Sequence, residues 1–262
     1  MKNSRIRSCL VPLVSVALLS AAGCATRGPN HVYLARTSAD AIEDVGPGGR
    51  DLADAVRNGE SATGLAYDFN TDHLFLRIAP TPVIRVIERP SGKVLREMPL
   101  GDEFKTPANP NGQFPPADLA IRSSDRHLFA VGADRRSVVE LTLYGVFVQR
   151  TSLSGLDGPI DGLAYDQRNH RLLVLTARNG LARVGRAGPG GHVAYYVTFA
   201  APVAAVSLGY DSDLRHFFVP LADATTLGEF DESGALVRSI PGVPGAAITA
   251  IDAGPRSFVR VF

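Results

Sequence analysis

The chain has 262 residues, with 27 Lys and Arg against 26 Asp and Glu, a formal net charge of +1. This balance leaves no basic footprint for nucleic acid, and 45% hydrophobic residues supply an ample core with no long polar tract. Trp is absent, which argues against a lectin that stacks sugars on indole, and the cysteines are limited to Cys9 and Cys24.

The first segment has a basic patch, Lys2, Arg5 and Arg7, followed by an apolar run from Cys9 to Ala22 broken by Pro12, Ser15 and Ser20. This is the layout of a secretory signal, and the run is short of the about 20 residues that a spanning helix needs. It ends in LSAAGC, which resembles the lipobox of bacterial lipoproteins, with Ala21 where a leucine is more usual. The resemblance implies cleavage before Cys24, a diacylglycerol on its thiol and acylation of its new amino group. Residues 1–23 are then the signal, 24–30 the lipidated cysteine and a short tether, and 31–262 the folded domain. Cys9 leaves with the signal, so the mature chain has no thiol for a disulfide in an oxidising compartment. Ala25, rather than aspartate, leans toward the outer membrane by resemblance to enterobacterial sorting.

Downstream, His31 to Arg36 and Ala41 to Val45 have strand composition but no repeat of their own. Five copies of one pattern follow: GLAYDFNTDHLFL from Gly64, DLAIRSSDRHLFA from Asp118, GLAYDQRNHRLLV from Gly162, SLGYDSDLRHFFV from Ser207 and ITAIDAGPRSFVR from Ile248. They align without gaps at spacings of about 40 to 55 residues, the range of propeller blades. Each copy reads as two strands and a hairpin. The first alternates, as Leu65 and Tyr67 do against Gly64 and Ala66. The position of Ala66 is small in every copy (Ala120, Ala164, Gly209, Ala250), as crowding around an axis demands. The second is a continuous apolar run, as in Leu128 to Val131, suited to burial on both faces. Two further strands complete a blade, as in Val83 to Glu88 and Val94 to Leu100 around Pro90, Ser91 and Gly92, with a matching turn at Glu232, Ser233 and Gly234. The fifth copy ends after its second strand, so the N-terminal strands are expected to supply the missing pair. The expectation is an all-β fold: a single propeller of five four-stranded blades, closed by pairing the two ends of the chain.

The stretch HLFLRIAPTPVIRVIERPSGKVLREMPLGD resembles the YVTN repeat, and GEFDESGALVRSIPG the related NHL repeat, of bacterial propellers. These resemblances imply a propeller and carry no particular activity.

Chemistry-bearing residues are sparse. His73, His127 and His216 align, with His170 one step off, but equivalent places in different blades lie far apart, so they read as turn residues rather than metal ligands. Asp68, Asp166, Asp211 and Asp252 likewise read as tight-turn residues bonding to their own backbone. No HExxH, paired CxxC, EF-hand loop or GxSxG is present, and GPGG at Gly188 lies between two strands as a hairpin turn. No cofactor and no metal site is expected. Charges that break the repeat are more informative: Arg77 stands where other copies have Val131, Leu175, Pro220 and Val261, and Asp118 and Asp161 sit at the start of innermost strands. Unless they are solvated at strand ends, they must be paired. The long stretches 48–60 and 101–116 enter first strands on the same side of the disc as the loops bearing Asp134, Arg135, Arg136, Arg178 and Asp223. That rim is the expected ligand site, with Arg77, Asp118, Asp161 and Arg178 at its centre.

The function expected is a non-catalytic binding module, held to the envelope membrane by lipid on Cys24 and presenting its loop-rich face to a protein or small ligand. The alternative is a propeller hydrolase or lactonase resembling the gluconolactonase group, which places a metal over the channel. Its Glu, Asn and Asp set finds only Asp161 among the inner strand starts Thr63, Ala117, Asp161, Val206 and Ala247. A structural part of a larger envelope assembly is the third reading.

Overall fold

The computed structural model describes residues 27–37, 39–49, 51–104 and 117–257. The expected signal segment, Cys24 and most of the second long loop lie outside the described residues. Nineteen strands are found among those described. The N-terminal pair is β1 (Arg27–Arg36) and β2 (Glu43–Val45). The first full blade is β3 (Ser61–Asp68), β4 (His73–Ala79), β5 (Val83–Glu88) and β6 (Val94–Pro99). The second is β7 (Leu119–Arg122), β8 (His127–Val131), β9 (Ser137–Thr142) and β10 (Phe147–Ser152). The third is β11 (Ile160–Asp166), β12 (Arg171–Arg178), β13 (Leu181–Ala187) and β14 (Val193–Thr198). The fourth is β15 (Gly209–Asp211), β16 (His216–Pro220), β17 (Leu227–Phe230) and β18 (Leu236–Ile240), and β19 (Ile248–Ser257) begins the fifth.

Each full blade is an antiparallel meander of four strands, and the innermost strands β19, β3, β7, β11 and β15 neighbour one another around an axis. The expected five-bladed, all-β propeller is therefore observed. Second strands are buried along nearly their whole length and outermost strands such as β10 are largely exposed, as nested sheets require. The innermost strands approach closely at glycine: a Cβ on Gly64 would lie 2.5 Å from the Ala117 carbonyl oxygen, and one on Gly162 would lie 2.8 Å from the Leu208 nitrogen. The small residue matters there as well as at the position of Ala66.

The fifth blade closes differently from the expectation. No hairpin follows Asp252; β19 runs on to Ser257, and β1 takes the second place, in register from Arg36↔Ile248 to Arg27↔Ser257. β2 is third, and the fourth place is reduced to one bridge, Ile42↔Leu52. The physical reason is that β1 already satisfies the edge of β19 that a returning strand would use. The second strand expected near the C-terminus lies, beyond Ser257, outside the described residues. The segment HVYLA of β1 matches HLFLR, HLFAV and HFFVP at the start of β4, β8 and β16, so His31 is the fifth-blade equivalent of His73, His127 and His216.

The disc has two faces. Innermost strands begin at the entry face, which also carries the connections from second to third strands. They end at the exit face, which carries the hairpins after them. Among the described residues no helix is long and apolar enough to cross a membrane.

Candidate functional site

At the entry end of the axis Asp118, just before β7, has no exposed surface. Its Oδ2 accepts hydrogen bonds from the Leu163 amide (3.0 Å), the Ser207 hydroxyl (2.9 Å) and the Leu208 amide (2.9 Å). Ser207 Oγ in turn accepts the Ile251 amide at 2.8 Å. One carboxylate of the second blade thus ties together the third, fourth and fifth across the axis. Burial pushes its pKa up to about 8, against the opposing pull of the Leu163, Leu208, Ser207 and Leu119 donors. Its Oδ1 makes no hydrogen bond.

Arg77 of β4 comes to the same place from the first blade. It is 1% exposed, its Nη1 donates to the Val131 carbonyl at 2.8 Å, and the Val131 amide donates to the Asp118 carbonyl at 3.2 Å. The guanidinium lies 5.5 Å from the centre of the Phe104 ring, a cation–π contact. Burial lowers its pKa to about 10, with attraction from Asp118 opposing. Its Nη2 has no partner. The reading of Arg77 and Asp118 as solvated strand-end charges fails, since both side chains are buried.

The other two expected residues lie apart from this pair. Asp161 is nearly buried, pairs with Arg135 and accepts the Ala177 amide at 2.8 Å. Burial is the main influence on its carboxyl and pushes its pKa up. Arg178 is exposed, with Nη1 3.3 Å from the Asp157 carbonyl. The structure therefore brings Arg77 and Asp118 together, and links neither to Asp161 or Arg178 by a hydrogen bond or ion pair among the described residues. Ser207 and Thr63 were missed; Thr63 is buried, with Oγ1 3.4 Å from the Arg77 carbonyl. No local signal marks Ser207, since its partners are 44 and 89 residues away. The first long loop lines an open groove of about 840 Å³ on the entry face, bordered by Asp40, Asp54, Arg57, Asn58 and Ser61.

The exit end is tighter. Residues of all five blades, including Tyr67, Ile121, Tyr165, Tyr210 and Gly254, enclose only about 30 Å³, space on the scale of one or two waters. Asp252 is partly buried here and does not cap a turn as expected. It accepts the amide of Tyr67 in the next blade at 2.6 Å, and burial raises its pKa to about 7. Its equivalents do cap hairpins: Asp166 Oδ1 accepts the Arg168 and Asn169 amides at 3.0 and 3.1 Å, and Asp211 Oδ1 those of Asp213 and Leu214 at 2.8 and 2.9 Å.

Three of the aligned histidines clasp second strands to third strands. His127 lies 2.5 Å from Glu140 Oε1, His216 lies 2.6 Å from Glu229 Oε1, and His31 pairs with Asp44. GPGG is a short 3-10 turn, Pro189–Gly191, joining β13 to β14. Among the described residues no three His, Cys, Asp or Glu side chains come together to hold a metal.

No protein-family model and no curated protein matches the chain. Solved structures do. A chain from a nidogen/laminin complex superposes with a TM-score of 0.59 at 11% identity, over 86% of this chain and 98% of that one. A Bacteroides caccae protein of unknown function (TM-score 0.47, 11% identity, 86% and 99% coverage) and Myxococcus xanthus glutaminyl cyclase (TM-score 0.49, 16% identity, 69% and 70% coverage) are also similar. At these identities the likeness is one of fold: the chain is a β-propeller, and the architecture alone assigns it no activity.

Proposed function

We propose that this chain is a lipid-anchored binding propeller of the bacterial cell envelope, which takes a small polar ligand, or a polar side chain of a partner, at the entry-face mouth of its axis. The observation that carries the site is the pair of unsatisfied atoms, Asp118 Oδ1 and Arg77 Nη2, on two fully buried side chains of adjoining blades. Buried polar atoms without partners are costly, and a ligand group or a water that bridges them removes the cost. With its carboxyl held near pKa 8, Asp118 offers a hydroxyl donor at neutral pH, and Arg77 adds a second donor. Two such donors suit an acceptor such as a carboxylate or carbonyl oxygen. Asp161 and Arg178 belong to the surrounding rim. The anchor rests on LSAAGC, the basic start and the lack of any other cysteine in the mature chain, with Ala25 favouring the outer membrane.

Two experiments test this. Native mass spectrometry of the protein purified from envelopes is expected to show a bound small molecule that Arg77→Met loses while keeping its cooperative unfolding. The same adduct on both proteins, or neither a small molecule nor a co-purifying protein on the wild type, rejects the site. Palmitate labelling is expected to mark the wild type and not Cys24→Ser; an unlabelled wild type rejects the anchor.

A further inference from the structure

The course of the first strand fixes how an anchored disc must stand. β1 occupies the second place of its blade, so it starts at the exit face and runs to the entry face, where Arg36 pairs with Ile248. Other second strands begin at His73, His127 and His216; β1 begins four residues before its equivalent, His31. β19 correspondingly continues past Asp252, and the two stay paired through Asn30↔Pro255 to Arg27↔Ser257. The pair therefore extends about 15 Å past the ends of the other second strands, toward the exit-face hairpins with which Gly254 and Pro255 line one cavity, at about 3.4 Å per residue.

Cys24 precedes Arg27 by three residues. Three residues reach at most about 10 Å, whereas the blades are about 20–25 Å deep from face to face at the same rise per residue. The chain from the lipid to Arg27 is thus too short to pass around the disc, and the projecting strands already point away from the entry face. We infer that the exit face is turned toward the membrane and the entry face, with Arg77, Asp118 and the first long loop, is turned away from it. This orientation rests on the lipid anchor proposed above.

Both faces expose large apolar side chains, Tyr144 (77%), Val146 (61%) and Leu214 (51%) on the exit face and Leu181 (50%), Val206 (42%) and Val243 (55%) on the entry face. Exposed Asp125 and Asp213 stand among the exit-face arginines, so the orientation rests on the course of β1 and not on surface composition.

The mature chain's single cysteine is taken up by lipid, so an introduced thiol is the only one a maleimide dye can reach. Ser124→Cys places it in an exit-face hairpin and Val243→Cys in an entry-face loop, both exposed. The lipidated variants are incorporated into vesicles of phosphatidylethanolamine and phosphatidylglycerol containing a nitroxide-headgroup lipid, with flotation scored first. Quenching several-fold stronger at position 124 than at 243 is expected. Flotation with equal or reversed quenching overturns the orientation and leaves the anchor standing. Failure of the dye-free lipoprotein to float overturns both. Asp213→Cys, in a different exit-face hairpin, repeats the measurement should Ser124→Cys unfold.

Discussion

Replacing Asp118 by asparagine retains an oxygen to accept the Leu163, Ser207 and Leu208 donors and removes only the titration. In the wild type the carboxyl is raised from 3.8 to about 8. Between those values the folded protein keeps a proton that the unfolded chain has released, so stability is complete below about pH 4, declines as pH rises, and levels off above about pH 8. One pKa unit between the two states corresponds to about 1.4 kcal/mol, which makes the whole decline about 6 kcal/mol at most. That is a large part of the about 5–15 kcal/mol typical of a folded domain. Asp252, raised to about 7, acts in the same direction. Carboxylates held low, such as Glu140 and Glu229, change protonation below this window, and Arg77 near 10 changes above it. Urea unfolding at half-unit steps from pH 4.5 to 8.5 measures the effect. Asp118→Asn is expected to be no more stable than wild type at pH 4.5, more stable at pH 8.5, and to have the shallower slope; Asp118→Asn with Asp252→Asn should be flatter still. If Asp118 were instead an anion paired with Arg77, the substitution would cost stability at every pH and the wild-type slope would persist. That result would refute the reasoning.

Three further outcomes test the packing. Tyr33→Ala removes a fully buried ring whose centre lies 4.7 Å from that of Tyr67, so a loss of about 3–5 kcal/mol in urea is expected; a loss under about 1 kcal/mol would mean that β1 does not close the ring in solution. Gly64→Ala forces a Cβ to 2.5 Å from the Ala117 oxygen and should cost about 1–3 kcal/mol. Gly188→Ala, whose Cβ would be 3.5 Å from its nearest neighbour, the His192 oxygen, is the near-neutral control, and equal effects on melting temperature would reject the close approach. Arg85, fully buried between Glu60 (2.8 Å) and Glu97 (2.8 Å), should cost about 3 kcal/mol when changed to Met, because the nearly buried Glu60 then loses its guanidinium while Glu97 keeps Arg57 (3.1 Å); an unchanged urea midpoint would show that Glu60 is adequately solvated.

The repeat was legible because each blade solves the same local problem. Alternation over two residues, a tight turn at Asp166 or Asp211 and an apolar second strand are written within about 15 residues of one another, so blade number and strand order followed from GLAYD and its four copies. HVYLA carried the same signal for β1, but its match to HFFVP becomes informative only once the ring is known to close through the N-terminus. Arg77 and Asp118 stood out as breaks in the pattern, yet whether they were solvated or buried stayed open for lack of neighbours. Asp118 is held by Leu163, Ser207 and Leu208, 45 to 90 residues away, whereas Arg178 looked equivalent and is solvated.

The sequence by itself determined the strands, their turns and the number of blades, since these depend on residues adjacent along the chain. Only the tertiary structure decided that β1 fills the second place beside β19, that Asp252 serves the next blade rather than its own turn, and which charges lie buried on the axis. Those outcomes depend on the distance between innermost strands, a property of the closed ring that no single repeat contains.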